Sequence, residues 1–188
     1  MMRGVRYAKF SVLSLICACA LLCQASFGGG RAPQLTRQQL IGAWRLVSID
    51  CTGPSGPMVD PFYQADSIGI IIYDSSGWMS VQIAAPHRRP VEVPESRLSA
   101  SAAAQDVGLK AAAFDTYYAY FGTWEFDAAN SMVTHHVESS LISSETGVDY
   151  EQKVSLAKGR LIFTTRSGKK GEEIIRRKVW ERIAGMAG

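Results

Sequence analysis

Residues 148–157 read VDYEQKVSLA, and the alternation in this stretch decides the fold. Val148, Tyr150, Gln152, Val154 and Leu156 fall on one face, with Asp149, Glu151, Lys153 and Ser155 on the other. A period of two marks a half-buried β-strand with its apolar set turned inward. Reading outward finds more of the same. Towards the C-terminus, the tight turn Lys158-Gly159 leads to Arg160–Ser167, and Gly168-Lys169-Lys170-Gly171 leads to Glu173–Ile183. Towards the N-terminus, Glu145-Thr146-Gly147 follows Met132–Leu141, which Ala128-Ala129-Asn130 joins to Tyr117–Asp127. Runs rich in β-branched and aromatic residues, separated by short turn clusters, predict an antiparallel meander.

Three further strands are predicted upstream: Ile41–Asp50, Ser67–Asp74 (SIGIIIYD) and Trp78–Ala84 (WMSVQIA). Ser75-Ser76-Gly77 links the last two and is hairpin-sized. Thr36-Arg37-Gln38-Gln39 has capping-box spacing and predicts a single helical turn before the first strand. Pro54, Pro57 and Pro61 are expected to exclude regular structure from Thr52–Pro61. Pro86–Ser99 is a long polar connection. Ser101–Asp115 (SAAAQDVGLKAAAFD) is the predicted helix, offering Val107, Leu109 and Phe114 for packing. Gly108 weakens it by roughly 1 kcal/mol relative to alanine. The fold class is therefore all-β, an eight-stranded antiparallel up-and-down barrel with one helix inserted between its third and fourth strands. Residues 40–183 form that one domain, followed by a frayed tail at 184–188.

The start of the chain reads as an address. Arg3, Arg6 and Lys9 form a positive region, and Phe10–Cys23 (FSVLSLICACALLC) is an apolar run of signal-peptide length ending near the small residue Ala25. A retained membrane anchor would need about 20 apolar residues. Lipoprotein processing is disfavoured by the bulk of Leu22 before Cys23, and at Ile16-Cys17-Ala18-Cys19 it would cut the apolar run short. The expectation is an exported chain, periplasmic or secreted, with residues 1–25 as signal peptide and 26–39 as a flexible lead-in. Of the 20 Lys and Arg, three lie in the signal segment, which leaves 17 basic residues against 17 acidic ones. Without a basic surplus the remainder is a poor nucleic-acid binder. Cys51 is its single thiol, so neither an internal disulfide nor a Cys-based zinc site can form. Buried it would be inert and exposed it could pair with another molecule; burial is the favoured reading.

Strand parity sorts the interior. Tyr120, Gly122, Trp124 and Phe126 share one face; Val133, His135 and Val137 share another, leaving His136 outside. Leu161, Phe163 and Thr165 follow on the next strand but one, and Met79, Val81 and Ile83 collect on 78–84. Tyr120, Trp124, His135, Tyr150, Gln152 and Phe163 are the candidate ligand lining, a composition shared by small-molecule pockets and ordinary barrel cores. His135 and His136, being adjacent, point to opposite faces and cannot chelate one ion. With no Cys or carboxylate at ligand spacing, neither a metal nor another cofactor is implied. No G-x-S-x-G elbow and no phosphate-binding glycine loop is present. His87-Arg88-Arg89 with Arg97 either meets an anionic ligand head or is simply solvated. Arg176-Arg177-Lys178, beside Glu172 and Glu173, reads as an ion-paired outer surface.

Gly42-Ala43-Trp44 on the first strand resembles the lipocalin G-x-W motif, and Trp180-Glu181-Arg182 on the last supplies the arginine that packs across that tryptophan in the family. Leu40–Ser48, Tyr73–Gln82, Tyr117–Trp124, Val133–Glu138 and Leu161–Thr164 are similar to the bacterial and fungal lipocalin-like branch. The resemblance spans the chain from Leu40 to Arg182. It implies that Gly42, Trp44 and Arg182 close one barrel end, a guanidinium–indole contact being worth on the order of 1 kcal/mol. The inserted helix and missing disulfide depart from typical secreted lipocalins and fit the branch. Members of the branch mostly have no established activity, so the resemblance bears on fold more than on function.

The functional expectation is carriage or sequestration of a small hydrophobic or amphipathic molecule in the barrel, without covalent chemistry. Two rivals differ in class. A barrel enzyme of isomerase or cyclase type would use His135 as acid or base, with Tyr120 or Tyr150 supplying a proton. Against it stands His135 as a core histidine bonded to its neighbours. An outer-membrane barrel would turn its apolar residues outward, whereas Asp149, Glu151 and Lys153 oppose an apolar face.

Overall fold

The computed structural model describes residues 34–90 and 107–184. The expected signal segment, most of the lead-in, Arg97, the first part of the predicted helix and most of the tail lie outside those residues. The elements run α1 (Arg37–Leu40), β1 (Gly42–Gly53), β2 (Gly56–Met58), β3 (Ile68–Tyr73), β4 (Trp78–Ala84), α2 (Val107–Asp115), β5 (Tyr117–Asp127), β6 (Met132–Ser140), β7 (Asp149–Ala157), β8 (Arg160–Ser167) and β9 (Ile174–Arg182). All pairings are antiparallel, in the order β2-β1-β3-β4-β5-β6-β7-β8-β9. β1 also pairs with β9, which closes eight strands into a barrel and leaves β2 as an extra strand on the end of β1. Among the described residues no helix is long and apolar enough to cross a membrane.

β2 corrects the reading of 52–61 as irregular. Gly53 and Gly56 face each other across Pro54-Ser55, and Pro57 stands opposite Thr52. A proline is tolerated there because β2 is an edge strand, where its missing N–H has no ladder partner to satisfy. Val148 is likewise corrected: it precedes β7 at the barrel rim and is exposed. The described part of the predicted helix is helical, but Phe114 is exposed and does not pack. Polar bonds hold the C-terminal end of α2 instead. Arg88 donates to the Ala113 carbonyl at 2.9 Å and Thr116 Oγ1 to that of Ala112 at 2.6 Å, satisfying carbonyls that a helix end leaves open.

Parity holds through the core, where Met79, Val81, Ile83, Val133, Val137, Val154, Leu161 and Phe163 are all buried. Two irregularities adjust it. A shift between Leu46 and Ser48 on β1 lets Trp44, Leu46, Ile49 and Cys51 all turn inward. The second shift lies at Phe121/Gly122, where a Cβ on Gly122 would collide with the His136 carbonyl oxygen.

The strands run between two unlike ends. At one, α1 lies under the barrel, with Gln39 Oε1 accepting the Thr36 N–H at 2.9 Å and Leu40 fully buried. Trp44 Nε1 donates to the Leu40 carbonyl at 2.8 Å. The Arg182 guanidinium lies 4.1 Å from the Trp44 ring centre and donates to the carbonyls of Ile41 at 2.7 Å and Gln39 at 2.6 Å. Gly42 sits at φ +125°, and a Cβ there would stand 2.6 Å from Arg182 Nη1. Only glycine combines that backbone with so close an approach. This end is closed. The other, where β1, β4, β6 and β8 finish, is open.

Candidate functional site

Inside the barrel the lowest polar layer is built on His135. Its Nε2 meets the Tyr73 hydroxyl at 2.6 Å, its Nδ1 meets the Tyr120 hydroxyl at 2.8 Å, and the Gln152 amide approaches Nδ1 at 3.2 Å. Burial, helped by the Lys178 charge, pushes the imidazole down to about 3, so it is neutral. Burial also pushes the Tyr73 and Tyr120 phenols well above their ordinary value. Tyr73 packs on Trp124, with ring centres 4.6 Å apart, and Phe163 stacks edge-on against His135. This layer is a filled core. Both imidazole nitrogens are engaged by tyrosines, which leaves neither free to take a ligand proton.

Above it lies a cavity of about 320 Å³ that opens to solvent. Tyr120 and Gln152 form its floor, and Tyr63, Tyr118 and Tyr150 its aromatic wall, with Phe62 at the rim. Glu145, Glu151, Thr165, Ser167, Arg176 and Lys178 are its further polar lining. Of the six residues expected to line a ligand site, Tyr120, Tyr150 and Gln152 border this space, while Trp124, His135 and Phe163 lie in the packed layer below. Clefts of about 330 and 390 Å³ also lie on the outer face of β3–β5, around Ile68, Gln82 and Tyr117. They carry no convergent buried polar group, and the interior cavity does.

One wall is an ion pair bolted to a loop. The Asp60 side chain is only 3% exposed; Arg176 Nε reaches its Oδ2 at 2.5 Å and Cys51 Sγ reaches the same oxygen at 2.8 Å. Asp60 Oδ1 accepts the N–H groups of Phe62 at 2.7 Å and Tyr63 at 2.9 Å, which folds these two rings over the mouth. Burial alone would raise the Asp60 carboxyl, but Arg176, the thiol and the two amides outweigh it and hold it at about 2. Burial and the adjacent carboxylate push the Cys51 thiol up to about 11, so it is an inert donor.

Lys178 is placed differently. Its Nζ lies 3.5 Å from the Tyr63 hydroxyl and 4.9 Å from that ring's centre. Among the described residues no carboxylate lies within ion-pair distance of it. Asp60 is committed to Arg176, and Glu145 accepts from Tyr118 at 3.0 Å and Ser140 at 2.7 Å. Burial, then the Arg176 charge, bring the ammonium down to about 8.

These residues correct the reading of Arg176-Arg177-Lys178 as outer surface. Only Arg177 faces out, 3.7 Å from Asp50. Trp180 is inward on β9, and counting back by two places Lys178 and Arg176 on its face. That parity was available in the sequence; the charge of the triplet masked it. Arg88 and His87 do not line the cavity. Arg88 caps α2 and lies over the Tyr117 ring at 4.9 Å. His136 faces outward, with Nδ1 2.7 Å from Asp149.

A small antiparallel barrel closed by a first-strand tryptophan beneath a last-strand arginine, and hollow at its other end, is a lipocalin-type barrel. The sequence profile of the lipocalin-like domain family matches residues 41–183, and the chain belongs to that family. No curated protein matches the chain. Among solved structures it is similar to a lipocalin whose expression is activated on cell transformation by the myc oncogene. That likeness has 11% identity and a TM-score of 0.34, covering 83% of this chain and 78% of that one. The fold suggests a small-molecule binding protein.

Proposed function

We propose that this protein binds a small amphipathic molecule in the open-end cavity. The ligand's apolar body lies against the tyrosine wall, and an acceptor oxygen, carbonyl or carboxylate, meets Lys178. The observation that carries this reading is Lys178 itself, a cation facing an aromatic cavity with no carboxylate partner among the described residues. Keeping a partly desolvated charge unpaired is costly, and such groups concentrate at functional sites. Tyrosines suit the wall because each offers a ring face and a hydroxyl. The volume sits at the lower edge of the usual pocket range and suits one small molecule. We further read the chain as exported, periplasmic or secreted, with residues 1–25 removed, and its role as carriage or sequestration.

Titration with benzoate and with anilinonaphthalene sulfonate, followed by calorimetry and fluorescence, tests the site. The expected result is one saturable site whose affinity falls about tenfold in Lys178→Met, the loss of one good polar contact. A purified barrel that binds neither probe and yields nothing on solvent extraction would overturn the reading. N-terminal sequencing of exported protein tests the address, with Ser26 as the expected first residue.

A further inference from the structure

We infer that Lys178 is a covalent capture site for aldehydes. Its amine adds to the aldehyde carbonyl carbon, and the resulting carbinolamine collapses to an imine as both amine hydrogens leave with the carbonyl oxygen as water. No oxidant or reductant is needed, and water can depart through the open mouth. The inference rests on the open-end cavity being a ligand site, and it narrows the acceptor proposed there from any carbonyl or carboxylate to an aldehyde.

Imine formation requires a neutral amine, room for a carbonyl beside it, and a wall that shields the product. Lys178 borders a cavity of about 320 Å³. The other described lysines, at 110, 153, 158, 169 and 170, are exposed. The charged and titratable groups packed around Lys178 explain its state. Arg176 on its own strand opposes its charge. Asp60 from the loop after β2 and the Cys51 thiol on β1 are locked to each other and to Arg176. Glu145, in the turn between β6 and β7, is held by Tyr118 and Ser140. The phenols of β5 and β7 are un-ionised, Glu151 of β7 borders the cavity from an exposed position outside ion-pair distance, and β8 brings only the neutral Thr165 and Ser167. With its midpoint brought down to about 8, roughly a tenth of Lys178 is neutral at pH 7, against about one in 3,000 for an ordinary lysine. Desolvation and a neighbouring cation are the two devices that turn a lysine into an imine-forming nucleophile.

The test treats the protein with benzaldehyde and sodium cyanoborohydride at pH 7, which reduces any imine to a stable benzylamine, and maps the adducts by peptide mass spectrometry. A benzyl group on Lys178 at least ~10-fold above each exposed lysine is expected from the difference in neutral fraction. Lys178→Arg removes the cavity's amine and should lose that adduct, while adducts on the exposed lysines stay at their wild-type level. Benzoate binding with adducts absent, or spread evenly over the exposed lysines, overturns the imine and leaves the cavity as a ligand site. A protein that binds neither benzoate nor benzaldehyde overturns both.

Discussion

Strand β9 carries the same device at both ends of the barrel to opposite effect. At the closed end Arg182 lies over Trp44, and two of its N–H groups are taken by the carbonyls of Ile41 and Gln39. At the open end Lys178 lies over Tyr63, and no carboxylate answers it among the described residues. Trp180, buried between them, keeps the two cations on one face. A cation on an aromatic ring is therefore a lock where the protein supplies the acceptors and, on the function proposed above, a receptor where it withholds them. The difference lies in what surrounds the pair: α1 wraps the first, and a cavity of about 320 Å³ adjoins the second.

If that contrast is right, truncation should cost far more at the closed end. Trp44 is 1% exposed and fully packed, so Trp44→Ala should lose about 3–5 kcal/mol. Tyr63 borders open space, and Tyr63→Ala should cost less than about 2 kcal/mol because little new void is created. Urea unfolding followed by tryptophan fluorescence measures both. Equal losses would make the open end ordinary core.

The layer between the ends gives the next effect. Tyr73→Phe removes the hydroxyl that meets His135 Nε2 and leaves a buried nitrogen unpaired, at an expected cost of about 1–3 kcal/mol. His135→Ala should leave benzoate affinity within a few fold, since the ring lies beneath the floor. A large loss of binding would bring His135 into the site.

How much of this was legible in the sequence follows the same divide. The closed end depends on residues adjacent in sequence, Gly42 with Trp44 and Trp180 with Arg182, and on strict two-residue parity, so a motif and a periodicity suffice. Trp78–Ala84, Tyr117–Asp127 and Arg160–Ser167 are strands over the whole span that alternation predicts. The open end is built from residues on β5, β7, β8, β9, the turn after β6 and the loop after β2, which only the closed barrel brings together. Asp60 lies in a proline-rich stretch with no periodicity, and nothing local marks its carboxylate as the anchor of Arg176. Arg176 and Lys178 were hidden for another reason: charge argues for solvent, and a cavity inside the barrel is where that rule fails.

Acid should attack the open end first. The Asp60 carboxyl sits at about 2, below its usual 3.8. The unfolded chain therefore binds a proton there more readily, so this group's stabilisation is full above about pH 4 and is lost as pH falls towards 2. Urea midpoints between pH 5 and 2 should fall in the wild type and fall less steeply in Asp60→Asn, which starts from a lower stability. Parallel slopes would detach Asp60 from the acid limb. Arg182→Met, at the closed end, should cost on the order of 1 kcal/mol with no added acid sensitivity.

The smallest effect on stability is expected from the residue on which the site depends. Lys178 titrates at about 8 in the fold against a usual 10.5. Between those values the unfolded chain holds more protons than the native one, so native stability rises with pH across this window; below about pH 8 the full penalty of housing the charge applies. Lys178→Met removes that penalty. At pH 7 the variant should be at least as stable as the wild type, and its advantage should shrink as pH approaches 10.5. Urea midpoints at pH 7, 8.5 and 10 measure the trend, with benzoate affinity measured on the same samples. A stable variant that no longer binds separates the open end from the closed one, where every truncation lowers stability. A Lys178→Met protein destabilised by several kcal/mol at pH 7 would instead make Lys178 a second lock, equivalent to Arg182.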